Sequence, residues 1–504
     1  MSSANLDAEV AIVGYGPVGT TLAILLAQLG RSVVVLERQP GPYPLPRAVH
    51  FDDEVGRILQ SCGIAAELRP IIEPAEIYEW RNGTGTTLLR FGRAGNGPSG
   101  WPASSMFNQP MLEELLRRRA GELTSIELRR GSDVEGIDQG DGAVALRAAD
   151  GSKARACYVV GCDGANSTVR GLVGIEVHDL GFFYDWLIVD VVLDEPRVFD
   201  PINLQVCDPA RPSTAVSGGP GRRRWEFMRL PHESLAELND ETRAWELLAP
   251  WNVHPGNARL ERHAVYTFNA RYAERWRAGR VFLAGDAAHL MPPFAGQGMC
   301  AGIRDAANLA WKLGLVLGDK APDSVLDTYQ QERLPGARQV IEFSMALGKV
   351  ICVPEPEEAA ARDTAMAAGV GPEPVEVPPF PGIGEGLLHR SSPHAGEVFV
   401  QGTVDGQLFD DVHGAGWRLV TIDGDEIETS LRGWFESIGG RVVRLDRPDP
   451  IYRRWFTTHD TSWVLQRPDF HVYGTADSAS AASTLVADLR RQLCSNSILE
   501  GAAT

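Results

Sequence analysis

Nowhere in this 504-residue chain do two cysteines stand three positions apart, so it lacks the CxxC pair of a dithiol redox centre. Its seven cysteines, Cys62, Cys157, Cys162, Cys207, Cys300, Cys352 and Cys494, are scattered. No Cys/His set has zinc spacing, so no metal site is expected, and reduced thiols in the cytoplasm are. An apolar run of about 18 residues is also missing, which argues against a membrane span. The opening MSSANLDAEV has neither the charged nor the apolar region of a secretory signal. Basic residues are outnumbered 48 to 66, giving a net charge of −18. That balance disfavours nucleic-acid and anionic-membrane partners, although a local basic pocket for an anionic small molecule stays open.

What is present is ordinary globular material, 44% hydrophobic and 23% charged, in a length that suits two to four domains. Residues 9–13 read as a buried strand, Gly14–Gly19 as a glycine turn, Pro17 to about Gly30 as an apolar helix, and Val33–Leu36 as a second strand. Helical patterns recur around 51–69 and 109–120, and a loop covers 92–105. Between 171 and 275 the texture changes to alternation, as in Trp186–Val192 and Arg224–Leu230, which predicts antiparallel strands. The apolar strand near 280 leads to a long helix over about 299–317. Residues 353–386, rich in Pro, Glu and Ala, read as a linker or excursion. Beyond 395 a mixed α/β pattern predicts strands near 398–402, 417–422, 441–445 and 462–466 and a final helix near 479–494.

GYGPVG sets Gly14, Gly16 and Gly19 in GxGxxG spacing between the first strand and helix. Gly14 permits the tight turn, Gly16 lets a pyrophosphate approach the backbone, and Gly19 lets the helix pack on the sheet. The helix N-terminus, opened by Pro17, favours the phosphate charge. Glu37, ending the second strand and followed by Arg38, can accept from adenosine ribose hydroxyls. This motif binds a dinucleotide but does not by itself distinguish FAD from NAD.

Two further segments decide. GCDGANSTVR at 161–170 and GDAAHLMPPFAGQG at 285–298, followed by MCAGIRDAANLAWKL, resemble the DG and GD motifs of the class A flavoprotein aromatic hydroxylases, the para-hydroxybenzoate hydroxylase-like superfamily. Within it, LPRAVHFDDEV, FNQPMLEELL and MPPFAGQGMCAGIRDAANLAWKL most resemble the 3-(3-hydroxyphenyl)propionate hydroxylases of the phenol hydroxylase branch.

The resemblance implies an α/β chain. A Rossmann-like FAD-binding domain (1–72, 106–175, 276–352) would carry an inserted antiparallel-sheet substrate domain (73–105, 176–275). A linker (353–394) would lead to a C-terminal thioredoxin-like domain (395–504), redox-inert without CxxC. The implied activity is FAD-dependent monooxygenation: NADH or NADPH reduces non-covalent FAD, and O2 then yields a C4a-hydroperoxyflavin that hydroxylates a phenolic ring. Possible homodimerisation goes with this. The alternatives are a tailoring hydroxylase for a polyketide or other large aromatic, and a non-catalytic FAD-binding protein.

By the same resemblance Asp286, after Gly285, would bind the ribityl chain. Gly296, Gly298 and Met299 would bring amides to the flavin ring, and Pro292 and Pro293 would rigidify the loop beside it. Asp163 would serve flavin and nicotinamide binding, with a turn aspartate as the simpler role, and Arg170 is as readily structural. Arg47 is a candidate for the pyrophosphate and Gln109 for the flavin side chain. Near the ring, His50 is a candidate base and Pro293 a catalytic-loop residue, while Asp52 reads as a helix cap. Trp225 and Phe227 on one strand, Tyr266 and Phe268 on another, and Pro292 are candidate substrate contacts, although alternation turns only half of each strand inward. His289 is expected to position the flavin loop.

Overall fold

The computed structural model describes residues 6–140, 142–369, 375–376, 382–424 and 426–494. Its first layer is a parallel sheet in the order Val281–Leu283, Lys153–Gly161, Ala8–Val13, Val33–Glu37, Ile126–Arg130. Ala143–Ala148 and Val134–Gly140 extend it as an antiparallel pair. Val10–Ile12 and Val33–Val35 are buried, as continuous apolar runs in a parallel sheet covered on both faces require. Helices Pro17–Gln28 and Gly298–Leu317 pack together on this sheet. The predicted strand–turn–helix–strand opening and the long helix near 299–317 are both present.

The second layer is a large sheet whose centre is built from Ala258–Ala273, Val177–Leu193, Arg222–Met228, Ser213–Ser217, Asn203–Cys207, Ile77–Asn82 and Thr87–Gly92. Its pairs are antiparallel except that Asn203–Cys207 runs parallel to Ile77–Asn82 and Val375–Glu376 runs parallel to Thr87–Gly92. Leu187, Val189, Val191, Trp225 and Phe227 face one way and pack with Leu238, Ala244 and Leu248. The opposite face looks toward the first layer.

Pro356–Ala367, inside the segment expected to link domains, is a helix packed on Thr87–Gly92. Arg362 fastens it by donating to the carbonyls of Val350 and Cys207.

The C-terminal sheet has the order Arg441–Arg444, Arg418–Thr421, Trp463–Gln466, Val472–Ala476, the first two parallel and the rest antiparallel. Helices Thr429–Ser437, Pro450–Thr458 and Ala479–Cys494 are interleaved with these strands along the chain. The strand expected near 398–402 is not formed. Val398 makes an isolated bridge to His471, and Gln401 N–H donates to Pro98 O, so this extended segment spends its backbone bonds on two different loops.

The C-terminal unit is not loosely tethered. Trp311 and Leu315 of the long helix share a core with Trp417, Leu419 and Trp463. Beneath them Glu332, fully buried, accepts from Lys312 Nζ at 2.7 Å, Arg467 Nη2 at 2.6 Å and Asn308 Nδ2 at 2.7 Å. Burial opposes the charge on Glu332, but Arg467 and Lys312 outweigh it and hold its carboxyl well below the usual range. No helix among the described residues is long and apolar enough to cross a membrane.

Candidate active site

Two joined cavities lie between the layers. The first, about 300 Å³, is a trough at the C-terminal ends of the parallel strands. Gly14, Gly16, Pro17, Glu37, Arg38, Arg47, Gln109 and Asp163 all line it. Gly14 has φ +104°, and a Cβ there would stand 2.4 Å from the Cys162 carbonyl oxygen, so no other residue fits. Gly16 caps helix Pro17–Gln28 without a side-chain bond, and a Cβ there would meet nothing within 4 Å. The uncapped first turn therefore opens onto the trough. Gly19 does not line it. A Cβ there would sit 2.2 Å from Gly14 O, so this glycine packs the helix on the turn.

Glu37 is held by the N–H groups of Tyr15 and Gln39, each at 2.8 Å. Asp163 accepts from Ser167 Oγ at 2.6 Å and Val169 N at 3.0 Å, so it secures its own turn while lining the trough. Arg170 is structural: it donates to Ala287 O and Ala165 O, tying the DG loop to the GD loop. Gln109 Oε1 accepts from Ala48 N at 2.6 Å and its Nε2 donates to Glu113.

The second cavity, about 410 Å³, shares Gly16, Pro17, Arg47, Gln109, Cys162 and Gly164 with the trough. Asp286, Pro293, Gly296, Gly298 and Met299 line it. Asp286 is exposed to this space though deep in the protein, and loss of bulk solvent raises its pKa above the usual carboxylate value. Gly285 and Pro292 are not on the lining. Gly285 N–H donates to Asp305 Oδ2 at 3.1 Å, so it shapes the loop from behind. Asp305 also binds His289 Nε2 at 2.7 Å and Arg333 Nε at 3.0 Å. His289 is thus part of the loop's buried support.

Farther in, strands of the second layer contribute side chains by alternation. Arg224 and Glu226 line the cavity, whereas Trp225 and Phe227 point to the opposite face. The expected substrate contacts at Trp225 and Phe227 are therefore corrected: a strand that shows Arg224 and Glu226 to the cavity must turn its odd-numbered neighbours away. Phe268 lines the cavity. Tyr266 shares its face but lies off the lining, with the Arg262 guanidinium 4.5 Å from its ring centroid. Arg224 is fixed by Asp190, at 2.7 and 2.9 Å, and donates to the Arg47 and Pro46 carbonyls, which anchors the loop that carries Arg47.

His50 lines the cavity beside Gly296. Its Nδ1 lies 3.2 Å from Gly296 O, which can only accept, so the proton sits on Nδ1. Nε2 then receives bonds from Ser104 Oγ at 3.1 Å and Arg93 Nη1 at 3.3 Å. Burial, reinforced by Arg93, pulls its pKa down to about 4, so the ring is neutral at pH 7. Asp52 caps helix Asp53–Ser61 through Val55 N, as expected, and pairs with Arg304 at 2.7 Å.

Sequence reasoning missed Tyr78, Arg93, Ser104, Gln205 and Thr214, all on the cavity wall. Tyr78 and Thr214 hydroxyls both donate to Gln205 Oε1, at 3.2 and 2.7 Å. A usable signal existed for some of them: polar residues spaced by two, such as Asn203/Gln205 and Arg224/Glu226, mark a strand face that is buried but not apolar.

Residues 7–344 match the family described as FAD binding domain. This chain belongs to that family. It is 41% identical over 506 residues to a probable NADH-specific resorcinol 4-hydroxylase of Rhodococcus jostii (strain RHA1), covering 95% of this chain and 94% of the relative. It is 33% identical over 522 residues to a 3-(3-hydroxy-phenyl)propionate/3-hydroxycinnamic acid hydroxylase of Mycobacterium sp. (strain JLS), covering 95% and 91%. Among solved structures, aklavinone-11 hydroxylase with FAD and aklavinone matches with a TM-score of 0.77 at 27% identity, over 98% of this chain and all of that one.

The chain is an FAD-dependent aromatic hydroxylase that uses a nicotinamide reductant and O2. The residues of this hydroxylase fit the cofactor. Gly16 and Gly164 leave open the space a Cβ would fill. Gln297, on the cavity wall, keeps a buried Nε2 donor without a hydrogen-bond partner.

Proposed function

We propose that this hydroxylase acts on a single-ring phenol with a second polar substituent meta to the hydroxyl, a resorcinol-like diphenol, and prefers NADH. One observation carries the proposal: a cavity of about 410 Å³ that must also admit the flavin ring, with Arg93, His50 and Ser104 together on its wall. The relative at 41% identity, named for resorcinol and NADH, supports it. Polycyclic phenols need a wider cavity.

In this reading bound FAD would supply the redox and O2-activating chemistry, and the residues of the chain bind, orient and polarise. One oxygen atom enters the ring at a carbon ortho to a hydroxyl; the other leaves as water. Gly14, Gly16, Pro17, Glu37, Arg38, Arg47, Gln109 and Asp163 hold the dinucleotide non-covalently along the trough. The Asp286 carboxylate would accept from ribityl hydroxyls, and Gly296, Gly298 and Met299, on the same cavity wall, would present backbone to the ring. Arg93, half-buried on the cavity wall and without a carboxylate partner among the described residues, stabilises the phenolate and so raises electron density at the ortho carbon. His50, neutral and already accepting two bonds, positions Arg93 and Ser104 and is not the final proton acceptor. Residues 1–72, 106–175 and 276–352 form the flavin unit, 73–105 and 176–275 roof the substrate, and the assembly is a homodimer.

Arg93 also favours a second reading, a phenol bearing a short carboxylate, which a guanidinium would hold by a charge-assisted bond. The test measures NADH oxidation, O2 uptake and product mass with resorcinol, 3-(3-hydroxyphenyl)propionate and a polycyclic phenol. Coupled turnover with resorcinol is expected, and Arg93→Gln should lower its kcat by about tenfold. Turnover confined to the propionate, with Arg93→Gln acting on KM, supports the second reading. Turnover of the polycyclic compound alone overturns both.

A further inference from the structure

Away from the flavin cavities, the C-terminal unit gathers three metal-ligating side chains from two chain segments. His394 and Glu397 lie on the segment entering the unit, and His459 caps the C-terminal end of helix Pro450–Thr458. We propose that His394, Glu397 and His459 form a binding site for a divalent transition-metal ion, Zn²⁺ being the ion that suits a two-histidine, one-carboxylate set.

The geometry supports this from both sides of the carboxylate. Glu397 Oε1 lies 3.1 Å from His394 Nδ1, and Oε2 lies 3.1 Å from His459 Nε2. The candidate ligand atoms are all within 4.8 Å of one another. A tetrahedral ion with bonds near 2.0–2.2 Å needs ligand atoms roughly 3.3 Å apart, so small rotations bring all three into its shell.

The second observation is how His459 is held. Its Nδ1 is 2.7 Å from the Trp455 carbonyl oxygen, an atom that can only accept, so the proton belongs on Nδ1. The ring is also stacked on Trp455, with centroids 4.2 Å apart and planes at 18°. Nε2 is thereby aimed at Glu397 Oε2, 3.1 Å away, an opening that a metal ion can bridge in place of a ring proton. A backbone carbonyl that fixes the non-ligating nitrogen is the outer-shell support metal-binding histidines use. The His394 ring stands 4.2 Å from the His459 ring, so both imidazoles reach the same side-chain carboxylate.

The site would act as a clamp. Glu397 O accepts from Val472 N, so its backbone is already fastened to an edge strand of the C-terminal sheet. An ion would tie the same segment to the end of the helix. The Glu397 side chain is 49% exposed, which leaves the fourth position to water.

The experiment uses untagged, FAD-loaded full-length protein, stripped with a chelator and titrated with Zn²⁺ by calorimetry and by thermal melting. One equivalent bound and a melting temperature raised by several degrees are expected. Glu397→Gln and His459→Asn should each weaken binding by about tenfold or more and remove the melting shift, with FAD content unchanged. His394→Asn, at a more accessible ligand, gives the same readout if a variant nearer the core fails to fold. No stoichiometric uptake by the wild-type protein, or equal affinity in the variants, overturns the proposal and leaves a hydrogen-bonded His–Glu–His cluster.

Discussion

The trough proposed for the dinucleotide and the cavity proposed for the substrate are neighbours built on different principles. The trough takes its shape from local backbone conformation: a glycine with φ +104°, an uncapped helix start and a strand end whose carboxylate is held by the turn. The substrate cavity is made of side chains from several separate strands and loops, including Tyr78, Arg93, Ser104, Gln205, Thr214 and Glu226. A backbone site is local and demands particular residues at fixed spacing. A side-chain site needs the right chemistry only after distant segments have met, and so leaves little trace in any one stretch.

The contrast can be broken most violently where neither cavity is touched. Glu332→Ala leaves Lys312 and Arg467 buried without their shared counter-ion, which should cost about 3–5 kcal/mol. Chemical denaturation monitored by flavin release and by tryptophan fluorescence should then show one earlier, shared transition. Two separated transitions would mean that the C-terminal unit is energetically independent. Next, Gly14→Ala forces a Cβ against the Cys162 carbonyl and should weaken FAD binding by about 100-fold, roughly 3 kcal/mol. Retained flavin after desalting would show that the turn is more compliant than its φ implies.

A paired test addresses the two faces of the second sheet. Trp225→Leu should lower stability by about 2–3 kcal/mol and leave KM for the aromatic substrate unchanged. Phe268→Leu should do the reverse, costing about 1 kcal/mol while raising KM several-fold. A KM change in the Trp225 variant would contradict the alternation of that strand.

A further effect, smaller than that of Trp225→Leu, is set by pH. His50 binds its proton less readily in the folded protein, at about 4, than in the unfolded chain near 6.5. Between those values the unfolded state holds more protons, so His50 makes the protein less stable as pH falls below 6.5 and contributes no slope above it. The difference should reach about 1.4 kcal/mol at pH 5.5 and be absent in His50→Gln. An unchanged slope in that variant would place the proton elsewhere.

Some misreadings share the same origin. Trp225 and Phe227 looked like substrate contacts because large aromatics stand out in a sequence, but their register with Val189 and Leu187 puts them under the helical cover. Residues 398–402 looked like a strand because they are apolar and extended, yet their partners are loops.

By itself the sequence determined the βαβ opening, the glycine turn, the long helix behind the GD loop and the flavin chemistry that follows from them. Those features depend on backbone conformation and on apolar periodicity, which are written locally. Only the tertiary structure decided which face of each strand lines the cavity, that Arg93 meets His50, and that Glu332 joins the C-terminal unit to the flavin-binding core. It alone brought His394 and Glu397 to His459, 62 positions beyond Glu397. Such contacts depend on strand register and on packing between segments far apart in the chain, and a one-residue shift in register would reverse them.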